Sequence, residues 1–365
     1  EVPPEVEVIN TKATNYFAFY SKDPSKIPSA GFALNPGKGL KNKISRFIRG
    51  NFFIPDPRRG WNRYAVRKAA DIIRREEIKY VITTSPPHST QLIGLRLKKL
   101  FPGITWIADF RDTWTDIYYY DLFYPTFISK AIDSHYEKEV LRKADKIITV
   151  GNNLAKAYIS KTGGISSKMH IIPNGYDEKD FEGISPGMSG KFTITYLGTL
   201  SEVYPLDGLM SALEQIEKNG GDFLLRFIGT IPGEIRNKIN SFITSTRTEF
   251  ISYVPHQEAI KLMAGASVLL LVIPDTKKND AITPGKVFEY IAARKPVLYI
   301  GPQEGDAAYH LKLCGHTGLF SGKDPEEIVK YLTEKMRTQE PLLMPHTEYS
   351  RKNLTLQLDK ILKSI

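Results

Sequence analysis

The sequence predicts an α/β protein built from two parallel-sheet, Rossmann-like domains, and three observations lead there. The chain has 365 residues, more than one hydrophobic core usually serves. Short β-branched runs alternate with helical stretches along most of it. Apolar strands joined by helical crossovers form parallel sheets covered on both faces. The alternation also runs twice, interrupted by NGYDEKDFEGISPGMSGK (174–191), a stretch rich in Gly and Asp that reads as a linker. The expected division is a first domain over 1–175, a second over 176–345 and a C-terminal helix over 346–365.

In the first half, YVITTS (80–85), TWIADF (105–110), KIITVG (146–151) and HIIPN (170–174) read as strands. Helices are expected near 60–76, 88–100, 126–143 and 153–161. In the second half the strands are FTITYLG (192–198), FLLRFIG (223–229), FISYVP (250–255), VLLLVI (268–273) and PVLYIG (296–301). Helices near 206–217, 256–264, 284–293 and 304–313 separate them. Leu354, Leu358, Ile361 and Leu362 fall at helical spacing and predict an amphipathic helix near the end. The first 55 residues fit less well. VEVINTK suggests one strand, and Ala13 to Asp56 shows no clean period. A doubly wound domain opens with a strand and a Gly-rich loop. Neither is visible, so the opening strand is expected upstream of Glu1.

Composition narrows the partners. Hydrophobic residues at 41% and charged residues at 25% are ordinary for a globular protein. The net charge of +10, with a pI near 9.3, favours anionic partners. Cys314 is the single cysteine, so no internal disulfide forms and a reducing, cytoplasmic setting is expected. The longest apolar run, ASVLLLVIP, is far short of the roughly 20 residues of a membrane span, and no signal peptide is visible.

One segment carries the clearest chemistry: AITPGKVFEYIAARKPVLYIG (281–301). Thr283 suits a helix N-cap and Pro284 the first helical position. The amides of Gly285, Lys286 and Val287 then lack intrahelical acceptors, and with the helix dipole they favour a phosphate. Gly285 permits close approach. Lys286 adds a cation. Glu289 lies on the same helical face as Gly285 and Lys286. Its carboxylate can accept from two neighbouring hydroxyls, as a ribose presents. The alternative is a surface ion pair with Lys286 or Arg294, and on this stretch alone the two readings weigh equally.

PGKVFEYIAARKPVLY resembles the donor-binding segment of retaining glycosyltransferases of the GT-B fold, specifically glycosyltransferase family 4. Other segments resemble the family in the same order: ITTSPPHSTQLIGLRLKK, WIADFRDTWTD, ADKIITVGNNLAKAYIS with HIIPNGYDEKDF, ITYLGTL, FLLRFIGT and FISYVPHQEAIKLMAGASVLLLVIP. The resemblance covers about 60–365. It implies two Rossmann-like domains facing a cleft, and the diphosphate of a nucleotide sugar, UDP- or GDP-linked, at the helix start. It implies the ribose on Glu289, and the base near the backbone of Val254 to His256. It also implies transfer with retention and no obligatory metal or other cofactor. No DxD pair and no His/Cys cluster with ligand spacing is present. Three positions depart from the family pattern. Ile282 stands where a first glutamate is common, Thr199 where an arginine is common, and Arg111 near a usual histidine.

Transfer builds negative charge on the leaving diphosphate, which prearranged donors stabilise. The candidates are the amides at the helix start, Lys286, and the Gly198–Thr199 loop amides. Asp109, Arg111 and Asp112 end a strand where α/β sheets place ligand loops. They are candidates to hold the acceptor or the transferred sugar, against a reading of Arg111–Asp112 as a local ion pair. Trp114 reads as packing first and sugar platform second. Ser85 and His88 are acceptor-side candidates, with helix capping the plainer role for His88. His256 is equally suited to starting a helix. Asn174 and Gly175 read as shaping the turn between domains.

From Lys38 to Arg75 twelve Lys/Arg face only Asp56 and Asp71, with Phe47, Ile48, Phe52, Phe53 and Trp61 interleaved. That mixture suits peripheral contact with an anionic membrane or, more plainly, a solvated basic face over core aromatics. No nucleic-acid motif accompanies it, so no nucleic-acid partner is expected. The resulting expectation is a bacterial cell-envelope enzyme of polysaccharide biosynthesis, with a glycan or lipid-linked acceptor. A nucleotide-sugar epimerase of the same fold and a non-catalytic nucleotide- or glycan-binding relative are the alternatives.

Overall fold

The computed structural model describes residues 3–16, 39–184, 190–338 and 342–364. Lys38 of the basic stretch and 185–189 of the linker lie outside the described residues. The chain divides into two compact units. One comprises Glu1–Val150 and Leu154–Ile171, the other Gly151–Asn153 and Ile172–Ile365.

The first unit holds a four-stranded parallel sheet in the order β1 (Tyr80–Ser85), β2 (Thr105–Phe110), β3 (Lys146–Thr149), β4 (Met169–Ile171). The β2 strand is buried from Trp106 to Phe110, as a central strand covered on both faces must be. Its register sets Thr84 beside Asp109 and Ser85 beside Phe110. The helices are α1 (Leu40–Phe52), α2 (Asn62–Arg75), α3 (Ser89–Leu100), α4 (Phe127–Lys143) and α5 (Asn152–Thr162). Ala65, Ala70 and Ile73 of α2 pack with Ile93 and Leu97 of α3.

Two expectations fail in this unit. VEVINTK is not a strand; its residues pair with no sheet. The stretch without a period contains α1. That helix has an apolar stripe, but the stripe points outward: Leu40, Ile44, Phe47 and Phe52 are exposed, and the buried side chain is Arg46. The α1 helix is held by polar contacts instead. Asn51 donates to the Tyr124 carbonyl and accepts from the Thr126 amide and the Ser129 hydroxyl. Arg46 and Arg49 lie over the Tyr124 and Phe123 rings. A search for a core-facing period passes over such a helix.

The second unit holds a six-stranded parallel sheet, β5 (Thr193–Leu197), β6 (Leu224–Ile228), β7 (Thr248–Ile251), β8 (Val268–Val272), β9 (Val297–Ile300) and β10 (Leu319–Phe320). Its order is β10-β9-β8-β5-β6-β7. Strand succession therefore reverses between β5 and β8, and open α/β sheets bind ligands beyond the carboxyl ends at such a point. The β7 strand ends at Ile251 rather than running to 255, and β10 is too short to show a period.

The helices of this unit among the described residues are α6 (Asp207–Lys218), α7 (Gly233–Phe242), α8 (His256–Ala264), α9 (Lys286–Ala292), α10 (Asp306–Leu313), α11 (Pro325–Arg337) and α12 (Arg351–Lys363). The α11 helix, absent from the sequence reading, is capped by Asp324, whose carboxylate accepts from the Glu326 amide. One core cluster packs Leu209, Leu213 and Leu332 on one face of the sheet, and another packs Phe288, Tyr290 and Leu311 on the other. The last helix returns to the start of the unit. The Tyr176 amide donates to the Tyr349 carbonyl, and the Arg351 amide donates to the Tyr176 carbonyl.

Candidate functional site

In the second unit the predicted donor residues converge on the switch point. The β5 strand ends at Leu197, where Gly198 adopts φ of 129°, a left-handed value that favours glycine. Lys286 reaches across from α9, and its Nζ donates to the Leu197 carbonyl at 2.8 Å. It lies 3.9 Å from the centroid of the Tyr196 ring. Tyr290, one turn further along α9, bridges the two switch-point strands. Its hydroxyl accepts from the Leu197 amide at 3.1 Å and donates to the Leu270 carbonyl at 3.3 Å. Sequence reasoning passed over Tyr290, although its spacing of four from Lys286 was visible.

Glu289 forms neither of the ion pairs weighed for it. Lys286 turns to Leu197, and Arg294 donates to the Leu343 carbonyl at 2.6 Å. The Glu289 carboxylate has no hydrogen bond or ion pair among the described residues and stays partly open to solvent. Burial raises its pKa, opposed chiefly by His256. Burial also pushes the Lys286 ammonium down to about 7, against the pull of Glu289. An unpaired carboxylate beside an amine that sheds its proton readily is costly unless something completes it.

The details around it differ from the sequence picture in three ways. Thr283 does not cap α9: the helix starts at Lys286 with Gly285 at the cap, and the buried Thr283 hydroxyl has no partner. Pro284 lies in a tight first turn, so the Val287 amide already donates to the Pro284 carbonyl at 3.0 Å. Only the Gly285 and Lys286 amides remain from the expected three. The Gly198 amide is likewise committed, to the Ile228 carbonyl at 2.8 Å, which leaves Thr199 as the amide of that loop. Gly229 lies with its Cα against the Gly198 carbonyl, so the loops after β5 and β6 touch backbone to backbone.

Val254 precedes α8 with no backbone hydrogen bond among the described residues, and His256 opens that helix. His256 Nε2 lies 2.9 Å from Asp180 Oδ2, and Gln257 donates to the other oxygen at 3.1 Å. Asp180, which the sequence did not single out, thus holds the first turn of α8.

In the first unit, Asp109 sits at the end of β2 and pairs with Arg111 at 2.9 Å; the Arg111–Asp112 pair does not form. Asp109 is buried, and burial raises its pKa against the pull of Arg111. Asp112 has no ion pair among the described residues and keeps solvent access, yet the protein packed around its carboxyl pushes it up to about 6. The Ser85 hydroxyl is fully buried, accepting from Gln91 at 2.9 Å, so it belongs to the interior. His88 is buried at the cap position of α3, its ring 5.2 Å from Trp114. Burial lowers its pKa to about 4, so it is a neutral imidazole. Trp114 is 2% exposed and donates to Asp133 at 2.7 Å, a packing role. In this loop Asp112 combines solvent access with a shifted carboxyl.

The described residues contain no group of three or more His, Cys, Asp or Glu that could hold a metal ion. No helix among them is long and apolar enough to cross a membrane.

Comparison with known proteins agrees with this architecture. Residues 30–180 match the Glycosyltransferase Family 4 model. No curated protein matches the sequence. Solved structures share the fold across most of the chain. Sucrose-phosphate synthase from Thermosynechococcus elongatus superposes with a TM-score of 0.58 at 14% identity, over 84% of this chain and 79% of that one. The lipopolysaccharide outer core galactosyltransferase WaaB in its apo form gives 0.55 at 11% identity, over 83% and 80%. Trehalose-6-phosphate synthase, studied for glycosyltransfer with retention, gives 0.54 at 14% identity, over 83% and 74%. Residues 30–180 are thus similar to glycosyltransferase family 4, and the chain as a whole shares the GT-B fold of these glycosyltransferases.

Proposed function

We propose that this protein is a glycosyltransferase that moves a sugar, with retention, from a UDP- or GDP-linked donor to a cell-surface glycan or lipid-linked acceptor. The observation that carries the donor assignment is the unpaired Glu289 carboxylate beside Lys286 at the switch point. Glu289 accepts from the two ribose hydroxyls. The Gly285, Lys286 and Thr199 amides and the Lys286 ammonium take the diphosphate. As the bridging oxygen gains charge in the transition state, these fixed donors stabilise it. Asp112, with its raised carboxyl, faces the acceptor or the transferred sugar, and Arg111 is held in place by Asp109. No metal or other cofactor is assigned to this reaction. Retention is supported by the family resemblance and by the trehalose-6-phosphate synthase likeness. A surface-glycan acceptor is supported by the WaaB likeness.

The assignment is tested by thermal unfolding against UDP, GDP, ADP, CDP and dTDP. A ligand at 100 times its Kd stabilises by about 2.7 kcal/mol. One selective nucleotide is expected to raise the midpoint in the wild type and not in Glu289→Ala. No stabilisation by any of the five overturns the donor site. Product analysis with the selected nucleotide sugar then separates transfer from epimerisation, which releases sugar without an acceptor.

The outward stripe of α1, with Phe127 and Ile128 exposed at 86% and 68% on the first turn of α4, forms an apolar patch flanked by Lys41 and Lys43. It supports peripheral docking on an anionic membrane at the cytoplasmic face of the cell. Flotation with anionic vesicles is expected to be lost in Phe47→Ser/Phe127→Ser; unchanged flotation overturns it.

A further inference from the structure

A groove of about 690 Å³ runs between α2 and α3, edged by Tyr136 of α4. Its floor is apolar: Val66, Ala70, Leu92 and Leu95 line it, and Leu100 at its end is 48% exposed. Its banks are basic. Arg63, Arg67 and Arg74 stand on the α2 side, and Arg96 and Lys99 on the α3 side, against Asp71 as the only acidic lining residue. Arg74 meets Asp71 at 3.5 Å and covers the Phe101 ring. Arg63, Arg67, Arg96 and Lys99 have no hydrogen bond, ion pair or ring contact among the described residues. None of these residues belongs to the donor site or to the α1 patch.

The shape and charge of the groove select among anionic occupants. It is concave, and a flat bilayer that touches the basic banks does not reach the leucines beneath. A single lipid carries its anion at one end, whereas these cations line the whole length. Arg63 and Arg74 lie about 16 Å apart along the axis at 1.5 Å rise per residue. A nucleic acid offers phosphates but no apolar stripe for the floor. An amphipathic helix with leucine-like anchors on one face and carboxylates on both flanks satisfies floor and banks together. We propose that the α2–α3 groove binds an acidic amphipathic helix of a partner protein.

The probe is a synthetic helix of about fourteen residues with leucines at i, i+3, i+4 and i+7 and flanking glutamates. Its control has the same composition in permuted order. Fluorescence anisotropy on the full chain is expected to show binding of the patterned peptide and at least tenfold weaker binding of the permuted one. Arg67→Glu/Arg96→Glu is expected to weaken the patterned peptide at least tenfold and to leave nucleotide binding unchanged. Leu95→Asp is expected to do the same through the floor. Arg67→Ala/Arg96→Ala, gentler on folding, is expected to weaken it less and to flatten its salt dependence. Equal binding of the permuted peptide, no binding at millimolar concentration, or indifference to all three variants overturns the proposal. So does vesicle flotation that requires Arg67 and Arg96 and is displaced by the peptide, which assigns the groove to lipid.

Discussion

The Lys286 ammonium nitrogen lies 3.9 Å from the centroid of the Tyr196 ring while it donates to the Leu197 carbonyl. The amine is thus clamped between a ring face and a strand end. Burial lowers its pKa to about 7, so it is charged in acid and neutral in base.

The first prediction concerns pH. A bound diphosphate favours the ammonium and raises its pKa in the complex. Below about 7 the free and bound proteins are both protonated, so Lys286 contributes no pH dependence. Above that value the free protein loses a proton that the complex keeps. Affinity should then fall by up to about tenfold per pH unit until the bound pKa is reached. Calorimetry of wild type and Lys286→Met checks this: the decline belongs to the wild type alone, and titration of the nucleotide phosphate is common to both.

The second prediction concerns the ribose. Glu289→Ala removes two charge-assisted hydrogen bonds, each of about 1.5–3 kcal/mol, so nucleotide affinity should drop by about a hundredfold or more. Stability should hardly change, because the carboxylate has no partner to lose. A 2′-deoxynucleotide should bind the wild type more weakly and Glu289→Ala no differently from its ribo counterpart. Equal discrimination by both proteins would remove Glu289 from the ribose.

A third prediction tests the bridge between the switch-point strands. Tyr290→Phe leaves the Leu197 amide without its acceptor. The cost should be about 1–3 kcal/mol in denaturant unfolding. Nucleotide affinity should fall as well, since the Leu197 carbonyl on the same residue positions Lys286.

The fourth lies in the first unit. Glu137 is fully buried and receives Lys161 at 2.8 and 2.9 Å and the Thr115 hydroxyl at 2.6 Å. Lys161→Met strands that carboxylate and should destabilise by about 3–5 kcal/mol. Adding Glu137→Gln should recover much of the loss. Chemical denaturation of the two variants measures it.

Both sheets were legible in the sequence because their strands are continuous apolar runs between helical periods. VLLLVI is buried throughout, and TWIADF nearly so. What escaped has a physical cause. The α1 helix turns its apolar stripe to the surface and buries an arginine, the reverse of the pattern sought. Local spacing made Thr283 the helix cap and the Val287 amide a ligand donor, but the helix starts later, at Lys286, and the tight turn at Pro284 satisfies the Val287 amide. Lys286 and Glu289 were legible as neighbours on one helical face. That Lys286 and Arg294 both turn away from Glu289 was not, because their acceptors, the Leu197 and Leu343 carbonyls, lie far away in the chain. Ser85, at a strand end, was an acceptor-side candidate, and only the three-dimensional position of Gln91 shows that it is interior.

The backbone exchange between Tyr176 and the segment from Tyr349 to Arg351 has a consequence for modularity. The second unit thus starts where its last helix starts, and the two segments are hydrogen-bonded to each other. The 13-residue last helix then carries the chain about 20 Å from that tie. A circular permutant that keeps the tie would therefore join Lys363 to the segment before Tyr176 by a linker spanning about that length, with new termini opened in the exposed turn at Asn219–Gly220.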